Sequence, residues 1–251
     1  MVNGKTVTVI VPSFNEEENI ENTVRHILVA INNNFDDYEV LLFDDGSTDR
    51  TGEIIDKLAA ENLKVKAIHN GVNRGFGYSY NKGVELASMD YISVLPGDNE
   101  IHERSIANMF RLIGDADIIV PYVINTEARP RTRRIVSSLY IFIMNLLFKC
   151  DLHYYTGPAI LKSEFLKNIP LKTSSFAFMS SVLVRLIRSG QSFIEVPIYL
   201  KGQVGRRSKA FRIKNVIGVL WTIAKLFCEV EFTQKEKYNK FPINRVVLYS
   251  V

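Results

Sequence analysis

The run EVLLFDDGSTDRT, residues 39–51, sets four consecutive apolar residues, Val40 to Phe43, against two adjacent carboxylates, Asp44 and Asp45. An apolar run without alternation reads as a strand buried on both faces. Gly46, Ser47, Thr48 and Asp49 then supply a turn and a cap for a helix over DRTGEIIDKLAAEN. A strand that ends on acids and passes through glycine into a helix is one unit of a parallel α/β sheet.

The same unit repeats on both sides of this stretch. Before it, TVTVIVPSF is an apolar run rich in β-branched residues, followed by a helical pattern in NEEENIENTVRHILVAINNN with acids in the first turn. After it come strand VKAIH, helix GYSYNKGVELAS, strand YISVL, helix HERSIANMFRLIG and strand ADIIVPYVI. Strict alternation predicts a mostly parallel central sheet with helices on both faces. In such sheets ligands sit beyond the carboxyl ends of the strands. The polar clusters fall there: Ser13 to Glu16, Asp44 to Ser47, Asn70 to Gly77, and Asp98 to Glu100.

The 251 residues suffice for a full core, and 47% hydrophobic with 23% charged residues is ordinary for a globular chain. Cys150 and Cys228 match no zinc or redox spacing and read as buried free thiols. Met1 to Lys5 leads straight into a strand, so no signal peptide is expected. The net charge of +4 hides an asymmetry: residues 1–128 hold 10 Lys and Arg against 21 Asp and Glu, and residues 129–251 hold 21 against 6. The acidic half suits a metal, and the basic half suits an anionic partner or membrane surface. Without interleaved stacking aromatics, and with one half acidic, a nucleic-acid partner is not expected.

ARPRTRR at 128–134 feeds the apolar run IVSSLYIFIMNLLFKC, which is short of the roughly 18–20 residues needed to span a bilayer. FRIKNVIGVLWTIAKLFCEVEF is similar but interrupted by Lys225. Two readings fit both runs: core helix, or a helix lying in a membrane interface beside basic residues.

VIVPSFNEEENI, EVLLFDDGSTDRT, NRGFGYSYNKGVELA and GDNE come in the order and spacing of glycosyltransferase family 2, which the chain resembles over about residues 5–220. RRIVSSLYIFIMNLLF, YTGPAILKSEFLKNIP, SGQSFIEVPI and GRRSKAF look like its dolichol- or polyprenyl-phosphate sugar transferase branch. The resemblance implies an α/β, Rossmann-like nucleotide-diphospho-sugar transferase fold of the GT-A type. It implies one catalytic domain over 1–220. Residues 1–128 would form the nucleotide-sugar and metal half. Residues 129–220 would form the acceptor half, with an amphipathic helix at 135–149, and 221–251 a helical or extended tail.

The resemblance also assigns roles. Pro12, Phe14 and Glu16 line the nucleotide pocket, where Glu16 accepts from a ribose hydroxyl or base edge; its plain alternative is a first-turn acid. Asp44 and Asp45 contact base and ribose, or else only shape a turn. Asn73, Arg74, Gly75 and Gly77 approach the nucleotide, or form an ordinary turn. The family usually shows D-x-D at the strand end; here Pro96 replaces the first Asp, Asp98 holds the second position, and Glu100 follows. Two carboxylates therefore remain for Mg²⁺ or Mn²⁺, which also accepts water and pyrophosphate oxygens. Loop acids in a metal-independent relative are the other reading. Arg134 and Ser138, four apart, share a helix face and match positions that meet the acceptor phosphate. Arg129, Arg131 and Arg133 thicken that patch or are merely solvated. Lys209 matches a phosphate-contacting lysine; Gln203 stands where an arginine is usual, with Arg206 and Arg207 nearby. Ser181 stands where the family commonly has an acid.

The expectation is an inverting hexosyltransferase moving sugar from a nucleotide-diphospho-sugar to a polyprenyl (undecaprenyl or dolichyl) phosphate, peripheral on the cytoplasmic face of a membrane. Asp98, Glu100, Arg134 and Lys209 would carry the reaction. Attachment would come from the interface helices or from a membrane-protein partner, and a homo-oligomer is the other expected assembly. The alternatives are a family 2 enzyme acting on a saccharide or other hydroxyl, with Glu100 or another acid as base, and a non-catalytic nucleotide-binding relative.

Overall fold

The computed structural model describes residues 5–32, 35–169, 177–202, 213–242 and 245–246. Along the chain lie β1 (Thr6–Ser13), α1 (Ile20–Ile31), β2 (Asp37–Asp44), α2 (Thr51–Glu61), β3 (Val65–His69) and α3 (Phe76–Leu86). They are followed by β4 (Tyr91–Val94), α4 (Glu103–Arg111), β5 (Ile118–Val123), α5 (Arg131–Phe148), β6 (Ile160–Lys162) and α6 (Ser163–Leu166). The chain continues through α7 (Phe178–Arg188), β7 (Phe193–Ile198), α8 (Ile213–Cys228) and β8 (Arg245–Val246). The expected division at residue 220 falls inside α8.

One sheet of 8 strands results, in the order β3-β2-β1-β4-β6-β5-β7-β8. All pairs are parallel except those of β6, which runs antiparallel to β4 and β5. The mostly parallel α/β expectation therefore holds, and short β6 is the exception. From β1 the chain proceeds to β2 and β3 on one side and returns to β4 on the other. The carboxyl ends of β1 and β4 therefore flank a topological switch point, where open α/β sheets bind ligands.

Side-chain alternation along β1 divides the core. Val7, Val9 and Val11 pack with Ile20, Val24 and Ile27 of α1 and Met109 of α4, whereas Ile10 packs with Tyr80 and Val84 of α3 and Met144 of α5. Glycines let the loops close over this edge. Gly46 has φ +73°, and a Cβ there would lie 2.6 Å from the Val72 carbonyl carbon. A Cβ at Gly97 would run into Ser13.

The second half departs from the simple pattern. α5 starts at Arg131 rather than near 135, so Arg131, Arg133 and Arg134 lie in its first turn with no acid to offset them. It buries only Met144 and Phe148, while Ile135, Leu139, Phe142 and Leu146 are 57–69% exposed. α8 likewise exposes Ile217, Leu220 and Trp221. Neither helix is an ordinary core helix. Among the described residues no helix is long and apolar enough to cross a membrane. Cys150 is buried as expected, but Cys228, at the end of α8, is exposed.

Beyond α8 a five-residue π-helical stretch, Glu229–Thr233, is held by buried arginines of α7. Arg185 forms a two-pronged pair with Glu229 at 2.6 and 3.0 Å. Arg188 pairs with Glu231 at 2.8 Å and donates to the carbonyls of Phe148 and Tyr238.

Candidate functional site

The β1 and β2 exits are laced together. The Asn15 N–H donates to Ser47 Oγ at 3.0 Å, and Asn15 Oδ1 accepts the Thr48 N–H at 2.9 Å. The Glu16 N–H donates to Thr51 Oγ1 at 2.8 Å, and Glu16 Oε2 accepts from Asn19 Nδ2 at 2.9 Å. Asn15 takes the left-handed conformation at φ 56°, which asparagine tolerates better than most residues. Pro12 is buried and its carbonyl accepts the Gly97 N–H at 3.0 Å, while Phe14 is half-buried beside it. Pro12, Phe14 and Glu16 thus sit together at the β1 side of the switch point.

Asp44 and Asp45 turn out to be busy within the protein. Asp44 Oδ1 accepts the Ser47 N–H at 2.9 Å, and Oδ2 lies 3.2 Å from His69 Nδ1. Burial opposes its ionisation, yet the Ser47 and His69 contacts hold its carboxyl below the usual range. Asp45 Oδ1 accepts from Asn70 Nδ2 and the Arg74 N–H, both at 2.9 Å, and Oδ2 accepts the Gly75 N–H at 2.8 Å. This carboxylate ties the 70–75 loop to the sheet, with Gly75 at φ 87°. Arg74 is exposed, its guanidinium 4.8 Å from the Tyr78 ring centroid. Asn73 is exposed nearby, and Gly77 is buried in α3. The loop-anchoring role of Asp45 was not legible from spacing, because its partners are backbone N–H groups 29 and 30 residues away.

At the β4 exit Asp98 Oδ1 accepts the Glu100 N–H at 3.1 Å, and both side chains are half-buried. Burial first, and the Glu100 carboxylate second, push Asp98 up to about 6; the Arg133 charge pulls the other way. Two like charges in a partly dry site are relieved by a cation, so this donor set fits Mg²⁺ or Mn²⁺. No group of three His, Cys, Asp or Glu stands ready among the described residues, so further ligands would be water and substrate oxygens.

The basic half reaches this site through the first turn of α5. Arg133, expected to thicken the arginine patch or to be solvated, is half-buried, and its charge favours the ionised form of Asp98. Arg134 is half-buried beside it and Ser138 is exposed one turn on. Arg131 is exposed, and Arg129 instead donates to Tyr154 Oη at 3.0 Å. Ser181 is buried in α7 and its hydroxyl donates to the Phe178 carbonyl at 2.7 Å, so no base stands at that position. Lys209, with Gln203, Arg206 and Arg207, lies outside the described residues.

A mostly parallel sheet with acid-bearing loops at its switch point and one antiparallel strand set inside it, between β4 and β5, is the GT-A layout of nucleotide-diphospho-sugar transferases. A family model described as Glycosyl transferase family 2 matches residues 8–169, and the chain belongs to that family. It is 29% identical over 119 residues to the glycosyltransferase GlyG of Streptococcus pneumoniae, covering 47% of this chain and 38% of that one. The chain thus spans little more than a third of GlyG. It is 26% identical over 208 residues to an undecaprenyl-phosphate mannosyltransferase of Micrococcus luteus, covering 76% of this chain and 82% of the relative. Among solved structures it is similar to glucosyl-3-phosphoglycerate synthase from Mycobacterium tuberculosis in complex with Mn²⁺, uridine-diphosphate-glucose and phosphoglyceric acid. The TM-score is 0.68 at 15% identity, covering 89% of this chain and 80% of that one.

Proposed function

We propose that this chain is an inverting glycosyltransferase moving a hexosyl group from a nucleotide-diphospho-sugar to a polyprenyl phosphate at a membrane surface. The observation that carries the reading is the meeting of two opposite charges at one edge. The Asp98–Glu100 pair stands at the β4 exit, joined by the Glu100 N–H bond to Asp98 Oδ1 at 3.1 Å, and α5 opens the basic half with Arg131, Arg133 and Arg134 in its first turn and no acid beside them. Asp98 and Glu100 would hold Mg²⁺ or Mn²⁺, whose charge stabilises a departing diphosphate. The mannosyltransferase relative supports the lipid phosphate acceptor, and the crystallised Mn²⁺ complex supports the cation.

This chain's own residues then divide the work. Pro12, Phe14 and Glu16 form the donor wall, and Asp44 and Asp45 act by fixing the turn and the 70–75 loop around it. Arg134 and Ser138 receive the acceptor phosphate at the α5 N-terminus, where the helix dipole and the arginines both favour an anion. A phosphate oxygen is already anionic near neutral pH and attacks the anomeric carbon as the bond to the diphosphate breaks. No strong base is then required, which suits the self-bonded hydroxyl of Ser181. The family resemblance assigns Lys209 to phosphate as well. The exposed apolar row Ile135, Leu139, Phe142 and Leu146 would lie in the cytoplasmic membrane interface and bring the site to its lipid.

The test is sugar transfer from a panel of nucleotide-diphospho-sugars with Mn²⁺, with and without undecaprenyl phosphate. Transfer that requires the lipid phosphate is expected. Transfer to a saccharide hydroxyl in its absence overturns the acceptor, and hydrolysis-free binding without any transfer overturns the enzyme.

A further inference from the structure

Between the two acids stands Asn99, which has φ 52° and is gripped from two distant elements. Lys201, three residues beyond the end of β7, donates from Nζ to Asn99 Oδ1 at 2.7 Å. His26 of α1 places Nδ1 3.1 Å from the same oxygen. An ammonium has only donors, so the amide atom facing it is the oxygen, and His26 Nδ1 must carry the proton that points there. The 3.5 Å approach of Lys201 Nζ to His26 Nδ1 is therefore proximity and not a bond. Main-chain bonds extend the grip: the Lys201 N–H donates to the Glu100 carbonyl at 2.7 Å, and the His102 N–H to the Tyr199 carbonyl at 3.0 Å. Ile101 and Leu200 form an antiparallel bridge between them.

We propose that Lys201 and His26, acting through Asn99, are positioning residues that set Asp98 and Glu100 side by side for a divalent cation. The proposal rests on the reading of Asp98 and Glu100 as cation ligands. Asparagine tolerates positive φ but is not confined to it, and here the hold on its side chain fixes that conformation. Release of Asn99 would rotate the peptide units on both sides and swing Glu100 away from Asp98.

The sign of the effect separates positioning from simple electrostatics. Lys201 places a positive charge near the site, with Glu103 Oε2 3.8 Å from its Nζ. If Lys201 acted only through its charge, Lys201→Met would tighten cation binding. Positioning requires the opposite. With Mn²⁺ alone as the probe, and free Mn²⁺ followed by its electron paramagnetic resonance signal, Lys201→Met should weaken binding about tenfold. Lys201→Arg should restore most of it. Asn99→Gly keeps the left-handed backbone without the amide, so adding Lys201→Met in that background should cause no further loss. His26→Phe, which deletes one grip only, should weaken binding in the same direction and carries the test if Lys201→Met does not fold. Unchanged or tighter Mn²⁺ binding in Lys201→Met, or a further loss in the Asn99→Gly background, overturns the proposal. If Asp98→Asn itself leaves Mn²⁺ binding intact, the metal reading falls instead.

Discussion

At Asp98, burial and the Glu100 carboxylate raise the pKa from 3.8 to about 6. The native state then holds a proton that the unfolded chain releases earlier, so stability falls as pH rises from about 4 to about 6. Asp98→Asn removes that penalty. In EDTA the variant should be more stable than the parent at pH 8 by on the order of 1–2 kcal/mol, and equal to it at pH 3. Thermal unfolding at the two pH values checks this. If Asp98 is a cation ligand as proposed, the same substitution should lower turnover at least about a hundredfold with the fold intact. Activity equal in EDTA and in Mn²⁺ contradicts the metal role. For Asp45→Ala, three donors lose their acceptor, and a cost of roughly 1–3 kcal/mol is expected together with weaker nucleoside diphosphate binding by calorimetry. Unchanged affinity would move the nucleotide away from the 70–75 loop.

At the level of elements, α5 runs against local preference. Arginines in a first turn oppose the helix dipole by about 0.3–1 kcal/mol each, and no side chain caps that end. An anionic surface or phosphate reverses the sign of that contribution. Co-sedimentation with liposomes should therefore rise with anionic lipid content and fall as salt is raised. Changing Arg131, Arg133 and Arg134 together to Gln should weaken attachment, since each basic residue near such a surface contributes about 1 kcal/mol. Phe142→Asp should weaken it independently, because Phe142 is 63% exposed and leaves no core cavity. Protein that stays in the supernatant at low salt with anionic vesicles would remove the membrane from the reading.

Across the whole molecule, α7 joins the catalytic sheet to the chain beyond α8. Arg188 is 2% exposed and links the end of α5, Glu231 and the Tyr238 carbonyl, with the Phe241 ring 4.3 Å from its guanidinium. Arg188→Met removes the donor of the Phe148 and Tyr238 carbonyls and strands a partly exposed Glu231, so it should cost roughly 1–3 kcal/mol in denaturant unfolding. A cost within 0.5 kcal/mol, about the scale of an ordinary surface change, would mean that the segment after α8 is not integral to the fold.

The alternation of strand and helix was legible because a strand buried on both faces needs an unbroken apolar run. EVLLFDDGSTDRT shows that run together with its exit turn. The clustering of acids at one edge followed from topology alone, since parallel strands bring their carboxyl ends together. What those acids do was not legible. Asp45 spends its oxygens on N–H groups of a distant loop. Asn99 is fixed from residues 73 and 102 positions away. Local pattern records the period of burial; which side chain meets which carboxylate depends on where separate elements dock, and only packing in three dimensions sets that.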